Sequence, residues 1–205
     1  MNIAVLVSGS GTNLQALIDA QNNDGLSGKI ACVISSKDGV YSLERAKKAG
    51  IAWAVLPQRN SGENIEAKLL EILETYKIDL VVLAGFLSIL GENVISKYRN
   101  RIINVHPSLI PAFCGKGFYG LRVHEAALNY GVKVSGATVH FVNEIPDGGA
   151  IILQKAVEIE ESDTPETLQK RIMEQAEWKI LPEAVKLFCE GRLKVTDNKT
   201  IISKE

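Results

Sequence analysis

The chain opens on residues 2–8 (NIAVLVS), where successive positions are apolar with no polar alternation. Such a run is a strand covered on both faces. Leu14, Leu17, Ile18 and Gln21 then recur at three- and four-residue spacing, which predicts a helix over 12–21. The alternation repeats. Residues 29–36 and 52–56 read as strands, the second ended by Pro57. Residues 41–49 read as a helix stopped by Gly50, and 64–77 as an amphipathic helix with Ile65, Leu69, Ile72 and Tyr76 on one stripe. A fully apolar fourth strand covers 80–84 (LVVLA), a short helix 92–98, and a fifth strand 101–105. Strands separated by single helices imply right-handed β-α-β units and a parallel sheet.

Past residue 108 the pattern changes. Residues 109–120 contain Pro111 and three glycines and read as a loop, followed by a helix over 121–130. Two long β runs, 132–143 and 150–160, flank the polar stretch 144–149, which suits an antiparallel pair. Residues 164–190 read as one long helix, capped by Thr164 with Pro165 in its first turn and bent near Pro182. The acidic run 158–163 reads as a solvated loop edge, and 192–203 as a small hairpin or a frayed tail. The expected fold is α/β: a Rossmann-like open sheet, mostly parallel with an antiparallel C-terminal part, and helices on both faces. It forms a single domain over 1–205, with 190–205 as a terminal extension.

Composition narrows the function. The 205 residues are 46% hydrophobic and 23% charged, as in an average globular protein, which excludes disordered and fibrous classes. A net charge of −1 gives no basic excess, so no nucleic-acid partner is expected. No apolar run approaches the roughly 20 residues of a membrane helix. The N-terminus enters a strand with no basic leader, which predicts a cytoplasmic protein and no membrane partner. Cys32, Cys114 and Cys189 lack zinc-ligand spacing, so no metal is expected and the thiols read as free. Trp53 and Trp178 read as packing residues, and His124 and His140 as helix-surface and strand hydrogen-bonding residues. Monomer and homodimer both fit.

Two segments carry chemistry. Ser8-Gly9-Ser10-Gly11-Thr12-Asn13 joins the first strand to the first helix. Glycines allow close backbone approach, and a helix start attracts anions. The loop lacks the lysine of a nucleotide-triphosphate loop, and Leu14 stands where a dinucleotide fingerprint needs its third glycine. A phosphate seat and a plain turn capped by Thr12 or Ser10 both fit it. The second segment is Asn104-Val105-His106-Pro107 at the fifth strand's end, where open α/β sheets bind ligands. Asn104 and His106, two apart on extended chain, share a face. An amide can donate to an oxyanion, and an imidazole titrates near neutrality. Asp147, inside Pro146-Asp147-Gly148-Gly149, would complete the set; taken singly, His106 also fits a structural bond and Asp147 simple turn chemistry.

These segments, with Leu83-Ala84-Gly85-Phe86-Leu87, Asn104-Val105-His106-Pro107-Ser108-Leu109, His140-Phe141-Val142 and Asp147-Gly148-Gly149-Ala150-Ile151-Ile152, resemble the phosphoribosylglycinamide formyltransferases over about residues 1 to 195. The resemblance implies transfer of the formyl group of 10-formyltetrahydrofolate, a co-substrate, to the amine of glycinamide ribonucleotide in purine synthesis. It implies that Gly11, Thr12, Asn13 and Glu177 hold the ribonucleotide. It further implies that Leu87, Ser88, Ile89 and Leu90, with Asn104, hold the folate through backbone groups, and that Asn104, His106 and Asp147 are catalytic. The chain departs from the family pattern at Ser88, where many relatives carry arginine. The arginine that some place at the start of the third helix has no clear match, Arg59 being the nearest substitute. The 111–120 loop has variable length in the family, and Cys114 within it has no base nearby in sequence to activate it as a nucleophile.

Two other readings compete. A formyltetrahydrofolate deformylase would share the Asn–His–Asp set but carry an extra N-terminal domain, for which a first strand at residue 2 leaves no room. A non-catalytic Rossmann-like nucleotide-binding module would bind nucleotide without folate.

Overall fold

In the computed structural model, which describes residues 1–57, 62 and 64–204, the alternation becomes β1 (Asn2–Val7), α1 (Thr12–Asn22), β2 (Lys29–Ser35), α2 (Tyr41–Lys48), β3 (Ala52–Val55), α3 (Ile65–Thr75), β4 (Leu80–Leu83), α4 (Glu92–Lys97) and β5 (Ile102–His106). There follow α5 (Leu121–Tyr130), β6 (Val134–Phe141), β7 (Ile151–Glu158), α6 (Pro165–Ile172), α7 (Trp178–Cys189), β8 (Leu193–Thr196) and β9 (Lys199–Ile202). Strand order is β3-β2-β1-β4-β5-β6-β7, a mostly parallel α/β sheet with an antiparallel end, as the sequence pattern predicts. The chain divides into two compact units, 1–103 and 104–205.

In the first unit β1 lies between β2 and β4, parallel to both, with Val5 beside Val33 and Val82. Ile3 to Val7 and all of β4 are buried, which is why both read as unbroken apolar runs. Truncating one such side chain, for example Leu6→Ala, costs about 2–5 kcal/mol. Helix α2 ends at Gly50 in left-handed conformation, with Ile51 N–H on the Ala46 carbonyl (2.9 Å) and Gly50 N–H on that of Lys47 (3.1 Å). Helix α3 ends in the same way on a lysine: Lys77 has φ 48°, and Ile78 N–H bonds the Leu73 carbonyl at 2.9 Å. Trp53 is not the packing residue its type suggested. It is 43% exposed, with the Lys47 ammonium 5.0 Å from its ring centre.

In the second unit β6 and β7 pair antiparallel from Val134–Glu158 to His140–Ile151. Thr164 caps α6 as expected, exchanging hydrogen bonds with Thr167 while Pro165 occupies the first turn. The irregularity in the long helix falls at Met173–Glu177, a π-helical turn, and not at Pro182. Pro182 lies inside α7, which runs on through it from Trp178 to Cys189. Asp163 is no solvated edge: its carboxylate accepts both Arg171 nitrogens (2.6 and 2.8 Å), Glu160 N–H and the Thr167 hydroxyl. Burial pushes its carboxyl up, and those donors more than reverse the push. Residues 193–202 are a hairpin, its turn made by Asp197 and Asn198, both at positive φ. His124 lies fully buried rather than on the helix surface, and burial pushes its pKa down to about 4.

Candidate functional site

In the first unit the glycine-rich turn leaves β1 and enters α1 through Gly11. Its φ of 73° is left-handed, and Gly11 itself is the N-cap, in place of Thr12 or Ser10. A Cβ here would lie 2.6 Å from Ser42 Cβ, so glycine is required by conformation and by the neighbouring α2 alike. No cap side chain competes for the first-turn N–H groups. Arg45 steadies the loop, donating from Nε to the Ser10 carbonyl (2.9 Å) and from a terminal nitrogen to Gln15 Oε1 (2.8 Å).

The same unit holds the 86–91 segment. Leu87 N–H donates to Ser8 Oγ at 3.0 Å, so of the four residues expected to use backbone groups on folate, Leu87 has its N–H already engaged. Ser88, Ile89 and Leu90 line a cavity of about 260 Å³ whose other wall includes Leu56, Ile65 and Leu69. Ile89 is 85% exposed, an apolar surface suited to a flat ligand. Arg59 lies outside the described residues.

In the second unit the expected trio comes together, joined by His140. Asn104 and His106 share a face of β5, and His106 is the strand's last residue rather than the first beyond it. The Phe113 carbonyl can only accept, so His106 donates Nε2–H to it (2.9 Å). Its Nδ1 then faces Asp147 Oδ2 at 3.6 Å. His140 commits Nδ1–H to the Phe141 carbonyl (2.8 Å), so its Nε2 accepts from the Asn104 amide (3.1 Å) and stands 3.6 Å from Asp147 Oδ1. Each carboxylate oxygen thus faces a different imidazole.

Asp147 sits at φ 56° in a turn closed by Gly148 N–H on the Ile145 carbonyl (2.9 Å), with Pro146 ahead of it. Gly115 N–H donates to its Oδ2 at 2.8 Å. Burial pushes the Asp147 carboxyl up, but both histidines and Gly115 outweigh it and hold the group below the usual range. For His106 burial dominates, lowering its pKa against the pull of Asp147 and the Phe113 carbonyl. The sequence reading set His140 aside and could not see Phe113 or Gly115, which act through the backbone. The signal available for His140 was its place in His140-Phe141-Val142, one of the segments that carry the family resemblance.

Three further residues are placed. Glu177 is 6% exposed and ends the π-helical turn, a geometry frequent at functional sites. Cys114 donates Sγ–H to the Pro111 carbonyl, and burial with Asp147 nearby pushes its thiol up, away from nucleophilic character. Asn198 Nδ2, in the terminal hairpin, donates to the Gly148 carbonyl at 3.1 Å.

The formyl transferase family model matches residues 1–185. Phosphoribosylglycinamide formyltransferase of Haemophilus influenzae is 44% identical over 96% of this chain and 91% of its own length. The human trifunctional purine biosynthetic protein adenosine-3 is 42% identical over 96% of this chain, which spans 19% of that larger protein. The crystal structure of glycinamide ribonucleotide transformylase 1 from Symbiobacterium toebii superimposes with a TM-score of 0.91 at 43% identity, covering 100% of this chain and 94% of that one. A formyltetrahydrofolate deformylase from Pseudomonas syringae shares the fold (TM-score 0.89) at 28% identity, and 66% of its chain is covered. The chain belongs to the formyl transferase family and, within it, to the phosphoribosylglycinamide formyltransferases.

Proposed function

We propose that the chain transfers the formyl group of 10-formyltetrahydrofolate to the amine of glycinamide ribonucleotide by direct attack. The amine nitrogen bonds the formyl carbon and gives a tetrahedral oxyanion; the bond to the folate nitrogen then breaks, and a proton passes from the amine to that nitrogen. The Asn104 amide has a second N–H beyond the one given to His140, and it donates to the oxyanion. Removing one such donor costs roughly 3–4 kcal/mol of barrier. Gly11, Thr12 and Asn13 hold the ribonucleotide phosphate, and Glu177 contacts the same substrate. Leu87, Ser88, Ile89 and Leu90, with Asn104, hold the folate.

The observation that carries this reading is the carboxylate of Asp147 between two imidazole nitrogens, each at 3.6 Å. The other nitrogen of each ring is committed to a carbonyl. An added proton on His106 therefore enters only at Nδ1, beside Asp147, where its charge is neutralised. Such a site holds one proton in transit between amine and folate. We place the enzyme in the cytoplasm, as monomer or homodimer.

The test follows tetrahydrofolate release from 10-formyltetrahydrofolate with and without glycinamide ribonucleotide. Release that requires the ribonucleotide is expected. Equal release without it means that water is the acceptor and the deformylase reading wins. Ribonucleotide binding with no folate affinity would favour the non-catalytic module.

A further inference from the structure

Helix α4 is short, and its N-cap Gly91 offers no side chain to the first-turn N–H groups. The cap arrives from another helix. Glu66, in the first turn of α3, accepts from Asn93 N–H (2.8 Å) and Val94 N–H (3.1 Å) through Oε1, and from Asn93 Nδ2 (3.1 Å) through Oε2. Anionic acceptors at a helix start are favoured by the exposed N–H groups and by the dipole. A Cβ at Gly91 would come within 2.3–2.7 Å of the Glu66 carboxyl group, so a larger residue there displaces the carboxylate.

Gly91 also ends the 86–91 segment. At its other end the segment is pinned by Leu87 N–H on Ser8 Oγ, itself 2.7 Å from Ser36 Oγ. Between the two pins lie Ser88, the exposed Ile89 and Leu90, which line the cavity, and Glu66 and Ile65 line its facing wall. Glu66 therefore fixes the distance between the segment and the α3 wall. We propose that Glu66 is a positioning residue for folate, setting the width of the cleft that receives it. This rests on the reading of Leu87–Leu90 as folate-binding. The part of Glu66 is to hold the segment against α3, so that it acts on folate through the width of the cleft.

Glu66→Ala should raise the KM for 10-formyltetrahydrofolate about tenfold, the scale of losing a charge-assisted cap, with kcat and the ribonucleotide KM unchanged. Glu66→Gln keeps an acceptor for both backbone N–H groups and should stay near the parent. Gly91→Ala should copy Glu66→Ala in the parent protein and add nothing in the Glu66→Ala background, because the clash needs the carboxylate. Unchanged folate KM in Glu66→Ala, or additive effects of the pair, overturns the proposal. A fall in melting temperature with no KM change assigns Glu66 to stability alone and overturns it equally. Amide hydrogen exchange of the parent, with and without folate, separates the two levels. Protection of 87–90 by folate together with a silent Glu66→Ala sinks Glu66 only, whereas no protection sinks the folate assignment itself.

Discussion

Two turns in this molecule solve opposite problems. Gly11 and Asp147 both sit in left-handed backbone, at φ 73° and 56°. The first turn places a glycine there, so what it presents is bare backbone at a helix start. The second places an aspartate there, accepting strain that glycine would avoid, so what it presents is a carboxylate. A non-glycine residue in this region costs about 1–2 kcal/mol, less for Asp and Asn. Three tethers hold the strained turn: Pro146 with the Ile145–Gly148 bond, Gly115 N–H, and Asn198. Where backbone is the binding group, conformation and chemistry agree; where a side chain is, they conflict and the surroundings settle it.

The largest test of this contrast is Asp147→Asn. Asparagine tolerates the same conformation, so the fold should hold while turnover falls about 10³-fold. Steady-state kinetics with calorimetry of ribonucleotide binding would check this. Loss of binding together with turnover would mean that the turn, and not the charge, matters.

Acid should strain the two turns unequally, because the first contains no titratable side chain. In the second unit His124 has a native pKa of about 4, against about 6.5 when unfolded. Between those values the unfolded state binds more protons, so stability rises with pH through that window and is flat above it. The full shift is worth about 3 kcal/mol. His124→Leu should reduce that slope in denaturant titrations at pH 7 and pH 4.5, leaving the part that His106, also lowered by burial, contributes. An unaltered slope would place the acid sensitivity elsewhere.

Gly11→Ala adds a left-handed penalty and a Cβ that Ser42 must yield to, so about 2 kcal/mol of stability should be lost in thermal unfolding. Any rise in ribonucleotide KM in Gly11→Ala then has to be read beside that loss. Smallest is Lys77→Gly. Lys77 bears left-handed strain with no chemistry to show for it, so glycine should raise stability by about 0.5–1 kcal/mol. A destabilised Lys77→Gly would show that this strain is already relieved.

The sequence exposed the parts whose physics is local. Buried parallel strands appear as unbroken apolar runs, and Thr164-Pro165 announces a helix start in two letters. Asn104 and His106 share a strand face by parity alone. What escaped it depended on distant partners. His124 looks like any helix-surface histidine until the second unit closes over it. Asp163 looks like part of a solvated acidic run until Arg171, eight residues on, covers it. His140 is an ordinary strand residue except that Asn104 and Asp147 meet it. Pro182 is a visible breaker, but the break lay upstream, where no residue type marks a π-helical turn.

That wide turn has an evolutionary consequence. A π-helical turn holds one residue more than the α-helix it interrupts, so Met173–Glu177 behaves as a tolerated insertion. Deleting any one of these five residues would leave a more regular helix. Because the wide turn absorbs the extra residue, Trp178 to Cys189 would keep the same face to the core. Ile180, Leu181, Ala184 and Val185 would stay buried, and the change would fall on the residues of the turn itself, Glu177 among them. Such a turn can therefore be gained or lost one residue at a time without repacking α7, and what the exchange alters is the setting of the Glu177 carboxylate.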